Sequence, residues 1–413
     1  MYFCPENKNK NIMKHLTRAG ILLVLLWTAA CRTDEPFSPP PEYLRNDWDT
    51  SLLVDGLMLP GSGMQHTSLV YEGDQRRMQH LFSKFRNGGL IRLGFIGGSI
   101  TGSAMASTPD KSYPAVLTLL MNKSFDGLQF TSVVRGYGAT GTYFGCCRVD
   151  DDLLKEAPDL IVVEFAVNDR EEDALQVRLT LEGLLRKCLK TGTPVILLLS
   201  EYRHGNPVIQ AVHEQLGRYY GLPVISMGAA IRPFIQSGLI QWEDLYVDDI
   251  HPNDQGHLLK ALLLYRYLST AYSYYHPSET WPGLPPNYFT DRYENAGVLK
   301  LTQSAVCTSN EGWDFVEREA GRLGLVPASK NAHLQILCTW RECALVYQIS
   351  TDHSAHLEVS IDGVPTDTLC NLSTGNANFT MTLFQSPYSE ARTIDLRNLD
   401  TEAFGISYVL YVP

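Results

Sequence analysis

Ser99 stands in a setting where a serine can act as a nucleophile. It follows Gly97 and Gly98, which come directly after the apolar run 91–96. Glycines at such a point let the backbone turn sharply and let a substrate approach closely. A helix beginning just beyond the turn would aim backbone N–H groups at a developing negative charge. Because serine is a weak nucleophile without a base, Ser99 needs partners elsewhere in the sequence.

His251 is the candidate base, within the segment "YVDDIHPNDQGH". Asp248 precedes it by three residues, and in a turn this spacing can bring a carboxylate onto the imidazole Nδ1. The carboxylate would fix the tautomer and leave Nε2 free to take a proton from a serine. Asp249 is the rival carboxylate, but we expect its side chain to cap the helix that Pro252 begins.

Two more segments could stabilise an oxyanion. Asn168 follows the predicted strand in "DLIVVEFAVND". Its amide could donate to the oxyanion, although an Asn-Asp pair at a strand end is often only a turn. Residues 133–142, "VVRGYGATGT", are rich in small residues and could supply a second backbone donor near the serine. The alternative for this segment is a flexible loop without a catalytic role.

An alternating pattern of strands and helices would position these segments. From about residue 90, apolar runs suited to buried parallel strands alternate with helical periodicities. This order predicts a doubly wound parallel sheet with helices on both faces, and sites in such sheets form at the carboxyl ends of strands. The predicted strands are 91–96, 129–135, 159–166, 194–199 and 223–227, and the predicted helices are 112–124, 149–156, 174–190, 207–220 and 253–273.

The pattern changes after residues 275–292, which are rich in proline and aromatic residues and which we interpret as a linker packed on the surface. The segments beyond it are short, β-rich and separated by turn signals such as Asp362-Gly363. The sequence therefore predicts an α/β domain over 45–274 and a small all-β sandwich over 293–413. The predicted strands of the second domain are 333–340, 343–350, 356–362, 378–384, 392–397 and 404–412.

The order of the chemical segments resembles that of the SGNH (GDSL-like) hydrolase superfamily over about residues 90–270. Gly-Gly-Ser-Ile-Thr is followed by a small-residue loop, by Asn-Asp and by Asp-x-x-His-Pro. The resemblance implies a three-layer flavodoxin-like fold. It also implies Ser99 as the nucleophile, His251 as the base and Asp248 as the residue that orients the base. Asn168 and the backbone N–H of Ser99 would then line the oxyanion hole.

Some positions depart from the family pattern. Gly97-Gly98-Ser99 stands where the family has Gly-Asp-Ser, so the acidic residue is missing. That residue is not the triad carboxylate, and we expect catalysis to survive its loss. The segment "GYGATGT" aligns with the family's glycine-rich loop in two registers, which place either Gly138 or Ala139 at the oxyanion donor. "EFAVND" lacks the commoner Gly-Gly before Asn-Asp but keeps the asparagine.

The resemblance implies ester hydrolysis through an acyl-enzyme without a cofactor. We expect a carbohydrate esterase that removes O-acyl groups, most of all O-acetyl groups, from a polysaccharide, as family members in such settings often do. The alternatives are a lipase or lysophospholipase of the same superfamily, a transferase that moves acyl groups between glycans, and a non-catalytic glycan-binding surface lipoprotein. The β-domain would be either a packing wall or a sugar-binding module. Trp313, Trp340 or Tyr347 could stack on sugars, or could equally belong to the core of that domain.

The N-terminal segment predicts export. Basic residues precede the apolar run 19–27, which is too short to span a bilayer and is typical of a signal-peptide core. "TAAC" resembles a bacterial lipobox, so residues 1–31 would form a signal peptide with Cys31 as the lipidation site; a plain secretory signal is the alternative. "RTDEP" resembles the surface-export signals of Bacteroidetes lipoproteins, and residues 32–44 would form a tether. We expect a lipoprotein on the periplasmic or surface side of the outer membrane, in contact with the membrane only through this anchor.

The net charge and the cysteine spacing limit the kinds of partner and ligand that we expect. The net charge of −11 argues against nucleic acid, because phosphate binding needs a basic patch. An acylated glycan or another small ester is the expected partner. The cysteines show no spacing typical of a metal site, and we expect none. Cys338 and Cys343 are one possible disulfide, whereas the pair Cys146-Cys147 is more typical of packing.

Overall fold

The structure, a computed structural model, describes residues 67–276, 280–299, 307–317, 323–373 and 377–413. The predicted signal peptide, Cys31 and the tether 32–44 lie outside the described residues, as do residues 45–66 of the predicted α/β domain. In the part of the chain that is described, no helix combines the length and the apolar character needed to cross a membrane.

A sheet of six strands forms the centre of the first unit. Its strands are β1 (Leu69–Tyr71), β2 (Gly89–Gly97), β3 (Leu128–Gly136), β4 (Leu160–Glu164), β5 (Val195–Leu199) and β6 (Val224–Ser226). Their order across the sheet is β1-β6-β5-β4-β2-β3. Strands β2 to β6 pair in parallel and correspond to the five predicted strands, whereas β1 joins β6 in antiparallel fashion at one edge.

Helices cover both faces of this sheet. They are α1 (Gln75–Asn87), α2 (Tyr113–Ser124), α3 (Thr142–Asp152), α4 (Ala174–Lys190), α5 (Pro207–Tyr219), α6 (Met227–Gln236) and α7 (Asp254–Ser273). Helices α1, α2, α6 and α7 pack in one core, and α3, α4 and α5 pack in a second. Leu160 and Val162 of β4 enter the first core while Ile161 and Val163 enter the second, so the cores lie on opposite faces. The predicted three-layer α/β fold is confirmed.

Helix α3 differs from the sequence prediction. The periodicity predicts a helix over 149–156, but the helix begins at Thr142 and ends at Asp152. Most of its side chains are buried, including Phe144 and the neighbouring cysteines. A helix without a continuous polar face has no clear amphipathic pattern, so its start is hidden in the sequence.

The second unit is an antiparallel sheet. Its strands are β7 (Gly297–Val298), β8 (Cys307–Glu311), β9 (Trp313–Glu317), β10 (Leu323–Pro327), β11 (His333–Ile349), β12 (His356–Ile361), β13 (Val364–Cys370), β14 (Ala377–Asn398) and β15 (Ile406–Val412). The main order is β13-β12-β14-β11-β15-β10-β9, with β8 beside β11 and β7 beside β15. The predicted strands 333–340 and 343–350 are one long strand, β11, and 378–384 and 392–397 are both parts of β14. Register shifts after Trp340 and Cys343 interrupt the pairing of these two long strands.

One apolar core holds this second unit together. Leu334 and Leu345, from the two halves of β11, belong to the same buried cluster. The second unit therefore has an apolar core of its own, and we refer to it as the β-domain. Trp313, Trp340 and Tyr347 are also buried there. Of the two alternatives for these three aromatic side chains, stacking on sugars or packing in the core, the structure therefore shows the second.

The two units are joined by a shared apolar core and not only by the segment that connects them. Val346 of β11 and Tyr408 and Leu410 of β15 belong to the second core of the α/β unit. The aromatic ring of Tyr408 stacks on that of Phe144 in α3, with the ring centroids 5.1 Å apart. The buried carboxylate of Glu182 in α4 accepts hydrogen bonds from the backbone N–H groups of residues 288–290, within the segment predicted as a linker.

The described cysteines are all free thiols. Cys338 and Cys343 lie on one strand, where five residues separate their Cα atoms by about 16 Å. A disulfide needs Cα atoms within roughly 7 Å, so the suggested bond between them is wrong. Cys146 is buried in the second core, and burial raises the pKa of its thiol to about 12. Among the described residues, no cluster of histidine, cysteine and carboxylate side chains could hold a metal ion.

Candidate active site

Gly97 and Gly98 allow neighbouring groups to pack closely against the turn after β2, which carries Ser99. A Cβ atom on Gly97 would overlap Thr101 and the carbonyl of Glu164. A Cβ atom on Gly98 would overlap the side-chain amide of Asn168. Side chains at these two positions are therefore excluded by close packing. Ser99 itself is half-buried at the carboxyl end of the strand, as predicted from the sequence.

Ser99, His251 and Asp248 form one hydrogen-bonded chain. The Oγ atom of Ser99 lies 2.9 Å from Nε2 of His251, and Nδ1 of His251 lies 2.8 Å from Oδ2 of Asp248. The other carboxylate oxygen, Oδ1, accepts the backbone N–H groups of Ile250 and His251, both at 2.7 Å. One carboxylate therefore shapes the turn and contacts the imidazole ring.

The carboxyl group of Asp248 is held in its charged form. Burial raises its pKa, but hydrogen bonds from His251 and Ile250 outweigh that effect and place the pKa below its usual value. A carboxylate on Nδ1 favours the tautomer with the proton on that nitrogen, which leaves Nε2 to accept the serine proton.

Asp249 does not cap the following helix. Its carboxylate lies 3.6 Å from Arg203 and 3.4 Å from His204 on the loop after β5. Asn253 caps α7 instead, and its side chain accepts the backbone N–H groups of Gln255 and Gly256. The expected capping role of Asp249 is wrong because the chain continues four residues further before the helix begins.

Asn168 lies where the sequence pattern places it, beside the serine turn. It begins a 3-10 turn, Asn168–Glu171, directly after the strand β4, and its amide covers Gly98. The next residue, Asp169, is fully buried and accepts the backbone N–H of Thr142 at 2.8 Å. The other oxygen of Asp169 lies 2.9 Å from Nε2 of His213. Asp169 therefore ties this turn to the start of α3 and to α5.

The loop 137–140 joins β3 to α3 and passes close to Ser99. A Cβ atom on Gly138 would lie 3.8 Å from Cβ of Ser99, whereas Ala139 is exposed and has a left-handed φ of 54°. The backbone N–H of Tyr137 donates to the carbonyl of Gly97 at 3.0 Å. Among the described residues, neither the N–H of Gly138 nor that of Ala139 has a hydrogen-bond acceptor.

Several supporting residues were missed by sequence reasoning. The indole Nε1 of Trp242 donates to the carbonyl of Asp248 at 2.7 Å, and its ring stacks on Tyr246 with centroids 3.8 Å apart. The guanidinium of Arg148, which is buried in α3, donates to the carbonyl of Gly97 at 3.0 Å. Neither role has a local sequence signal. Arg148 and Gly97 are distant in the sequence, and the contact from Trp242 to Asp248 depends on an irregular turn without periodicity.

A charged cluster lies beneath the serine turn. Glu164 at the end of β4 is fully buried and accepts a hydrogen bond from the hydroxyl of Thr101 at 2.9 Å. Burial raises the pKa of Glu164, an effect that the charge of Lys260 partly offsets. Lys260 in α7 is also fully buried, and burial lowers its pKa to about 8. Lys260 donates to the hydroxyl of Ser200.

The arrangement has the parts that acyl transfer requires. The serine hydroxyl touches a base, the base touches a carboxylate, and backbone donors without an acceptor among the described residues lie beside the serine. A tetrahedral oxyanion formed at Ser99 could be stabilised by backbone N–H groups and the amide of Asn168. No step of this chemistry calls for a metal or an organic cofactor.

A comparison with known protein families matches the part of the sequence that carries Ser99, Asp248 and His251. Residues 95–259 match the model of the GDSL-like Lipase/Acylhydrolase family, and this range contains every residue of the hydrogen-bonded chain. A comparison with curated proteins found no match.

Solved structures share the whole two-unit architecture. A two-domain esterase active on acetylated mannans superposes with a TM-score of 0.76 at 23% identity, over 84% of this chain and 98% of that chain. The same kind of esterase, co-crystallised with mannopentaose, superposes with a TM-score of 0.75 at 24% identity, over 84% and 97% of the two chains. The likeness shows that an α/β unit followed by an antiparallel β-domain is a shared fold.

Proposed function

We propose that this protein is a serine esterase that hydrolyses O-acyl groups, most of all O-acetyl groups, on a carbohydrate. The observation that carries the proposal is the chain from Ser99 Oγ to His251 Nε2 at 2.9 Å and from His251 Nδ1 to Asp248 at 2.8 Å. A serine in contact with an oriented imidazole is the arrangement that makes a hydroxyl nucleophilic at neutral pH.

Acylation begins when Ser99 Oγ attacks the ester carbonyl carbon and its proton passes to His251 Nε2. The carbonyl oxygen becomes an oxyanion, which accepts hydrogen bonds from the N–H of Ser99, from the N–H of Gly138 or Ala139, and from the amide of Asn168. The carbon–oxygen bond to the sugar then breaks. His251 returns its proton to the leaving hydroxyl, and the acyl group stays on the serine.

Deacylation repeats the sequence with water. His251 accepts a proton from a water molecule while the water oxygen attacks the acyl carbon. The second tetrahedral intermediate uses the same donors and collapses to release the acid. The proton on His251 returns to Ser99, which restores the free enzyme.

The choice of an acetylated polysaccharide has separate support. The two solved structures compared above are described as those of a two-domain esterase active on acetylated mannans. In this protein the β-domain packs beside α3 and the loop 137–140, so a second unit borders the serine site. We therefore propose an acetylated polysaccharide as the substrate class and acetylated mannan as the first member to test.

Variants of the hydrogen-bonded chain test the esterase proposal. With p-nitrophenyl acetate as substrate, Ser99→Ala should abolish turnover while the melting temperature stays near the wild-type value. Asp248→Asn should lower kcat by two to four orders of magnitude, because the carboxylate that stabilises the imidazolium is lost. His251→Ala should lower kcat further. Undiminished turnover by Ser99→Ala would contradict the proposal.

A substrate panel tests the substrate class. Acetate release from acetylated mannan, acetylated xylan and acetylated pectin separates glycan preferences. A p-nitrophenyl ester series from acetate to decanoate separates an acetylesterase from a lipase, because a lipase would prefer the longer chains. Rates that depend on an added glycan acceptor would indicate a transferase. Glycan binding without turnover would indicate a non-catalytic binding protein.

We also propose that the protein is exported and anchored to the bacterial outer membrane through a lipid on Cys31. The support is the signal-peptide pattern and the lipobox resemblance in residues 1–31, and one anchor would leave the rest of the chain outside the bilayer. Cys31→Ser should move the protein from the membrane pellet to the soluble fraction of cells that process lipoproteins.

A further inference from the structure

The β-domain makes a direct hydrogen bond to the loop beside Ser99. The side-chain Nδ2 of Asn378, near the start of β14, donates to the backbone carbonyl of Gly138 at 2.9 Å. The two residues are 240 positions apart in the sequence. A side chain of the second unit therefore contacts the segment in which the oxyanion donor of the first unit is expected.

This contact fixes the orientation of one candidate donor. The carbonyl of Gly138 and the N–H of Ala139 belong to the same planar trans peptide, so they point in opposite directions. Holding the carbonyl toward Asn378 therefore holds the N–H away from it. The hydrogen bond also polarises the peptide group, which strengthens the N–H as a donor.

The preceding peptide is held from within the loop. The hydroxyl of Thr140 donates to the carbonyl of Tyr137 at 2.8 Å, and that carbonyl shares a peptide plane with the N–H of Gly138. The two candidate donors thus lie in neighbouring peptides, one held by Thr140 and the other by Asn378. Neither N–H has an acceptor among the described residues, so both are available to an oxyanion.

The loop needs such support because its conformation is unfavourable on its own. Ala139 has a φ of 54°, a left-handed conformation that residues with a side chain rarely adopt. Gly138 is half-buried, and without a side chain it has no packing of its own to anchor it. A strained backbone persists where surrounding contacts hold it, and such strain is concentrated at functional sites.

A second contact from the β-domain steadies the same loop. The ring of Tyr137 packs edge-on against Tyr408 of β15, with centroids 5.7 Å apart, and the two hydroxyl oxygens are 3.4 Å apart. Tyr408 is buried, so it offers a fixed surface. The β-domain therefore supports the loop at Tyr137 and at Gly138.

The amide of Asn378 is oriented by this bond. A backbone carbonyl can only accept, so the side chain must present its NH₂ group to Gly138. Its carbonyl oxygen is then buried without a hydrogen-bond partner in the described part of the structure. The bond to Gly138 is thus the hydrogen bond that the Asn378 side chain makes in the described part of the structure.

We propose that Asn378 is a positioning residue for the oxyanion hole, through which the β-domain sets the rate of ester hydrolysis even for a substrate too small to reach it. This inference rests on the proposed serine esterase activity. It assigns to the β-domain a role in the chemical step that is separate from any binding of glycan.

The test compares three variants with p-nitrophenyl acetate as substrate. Loss of an oxyanion donor lowers kcat by roughly 10²–10³-fold, so loosening one should lower kcat by about tenfold. We expect Asn378→Ala to show that decrease with KM within about twofold of the wild-type value. Asn378→Asp keeps the volume but replaces the donor with an acceptor, and it should lower kcat further. Gln385→Ala removes the 3.5 Å contact from Gln385 to Gln176, which crosses the same interface from the same strand, and it should leave kcat unchanged.

A second readout separates positioning from general loss of structure. The rate of covalent inactivation by diethyl p-nitrophenyl phosphate also depends on the oxyanion donors, so it should fall in step with kcat in both Asn378 variants. The melting temperatures of Asn378→Asp and the wild type should agree within a few degrees. A KM effect without a kcat effect, or equal losses in Gln385→Ala, would overturn the inference.

Failure of the inference can be told apart from failure of the proposed function. If Ser99→Ala is inactive and both Asn378 variants keep wild-type kcat, the esterase stands and the positioning role is wrong. If Ser99→Ala keeps wild-type turnover, the esterase proposal itself is wrong, whatever the Asn378 variants show.

Discussion

The two carboxylate oxygens of Asp248 make different hydrogen bonds, and these bonds explain why the residue lies three positions before His251. One oxygen accepts two backbone N–H groups and closes the turn, while the other contacts the imidazole Nδ1. Trp242 stabilises the same turn by donating to the backbone carbonyl of Asp248. The base is therefore oriented by short-range contacts that the spacing Asp-x-x-His already allows.

His257 is a second histidine near the site, with a purely structural role. Its Nδ1 accepts the backbone N–H of Tyr113 at 3.3 Å, and its Nε2 lies 3.0 Å from the carbonyl of Ala104, to which it donates. Burial lowers its pKa to about 4, and the nearby charge of Lys260 acts in the same direction. The neutral ring thus links α2 and α7 to the loop that follows Ser99.

The low pKa of His257 predicts acid sensitivity. The unfolded chain binds a proton at this residue near pH 6.5, whereas the folded protein binds it only near pH 4. The stability that the neutral ring contributes is therefore complete above pH 6.5 and is lost as the pH falls toward 4, by up to about 3 kcal/mol. Urea unfolding at pH 7, 6, 5 and 4 should show a shallower pH dependence for His257→Gln than for the wild type. Parallel curves for the two proteins would contradict this expectation.

At the scale of elements, the strand ends and the first turn of α7 position the chemistry. Ser99 and Asn168 follow the neighbouring strands β2 and β4, so the parallel sheet brings them to one edge. His251 lies just before α7, whose N-cap is Asn253. The cap determines where the helix begins and therefore how the preceding turn approaches the sheet.

The cap of α7 predicts an effect on both stability and rate. Replacing an N-cap asparagine or aspartate with alanine costs about 1 kcal/mol. Asn253→Ala and Asp173→Ala, the latter at the cap of α4, should therefore lower the free energy of unfolding by similar amounts. Only Asn253→Ala should also lower kcat, by several-fold, because its turn carries His251. An equal loss of kcat in Asp173→Ala would show that the effect is not local.

At the scale of the whole molecule, the two units share one apolar core. Leu410 of β15 is fully buried in a core that also contains Phe144 of α3. Removal of the β-domain would expose that apolar surface and release the loop 137–140. The β-domain is therefore part of the body that presents the serine site.

The shared core predicts a single unfolding transition. Leu410→Ala should lower the free energy of unfolding by roughly 2–5 kcal/mol, the usual range for a buried leucine. The helical signal at 222 nm and tryptophan fluorescence should shift to lower temperature together, although the substitution lies in the β-domain. Val364→Ala, at an exposed position of the same domain, is the control and should change neither. Separate transitions, with the helical one unmoved, would contradict the shared core.

The sequence by itself determined the parts of the site that depend on local pattern. Apolar runs predict the parallel strands, and polar residues at their ends predict where Ser99 and Asn168 lie. The pair Asp248 and His251 falls within one turn, so its spacing is enough to predict the contact. The sequence also predicts that an all-β domain follows the α/β unit.

Only the tertiary structure decided what depends on contacts between distant segments. The start of α3, the burial of Trp313 and Trp340, and the hydrogen bond from Asn378 to Gly138 have no periodic signal. Local pattern reports which face of an element is apolar, but not which surface will cover that face. The packing of the β-domain against the loop 137–140 is an example, because it is determined only when the two units assemble around their shared core.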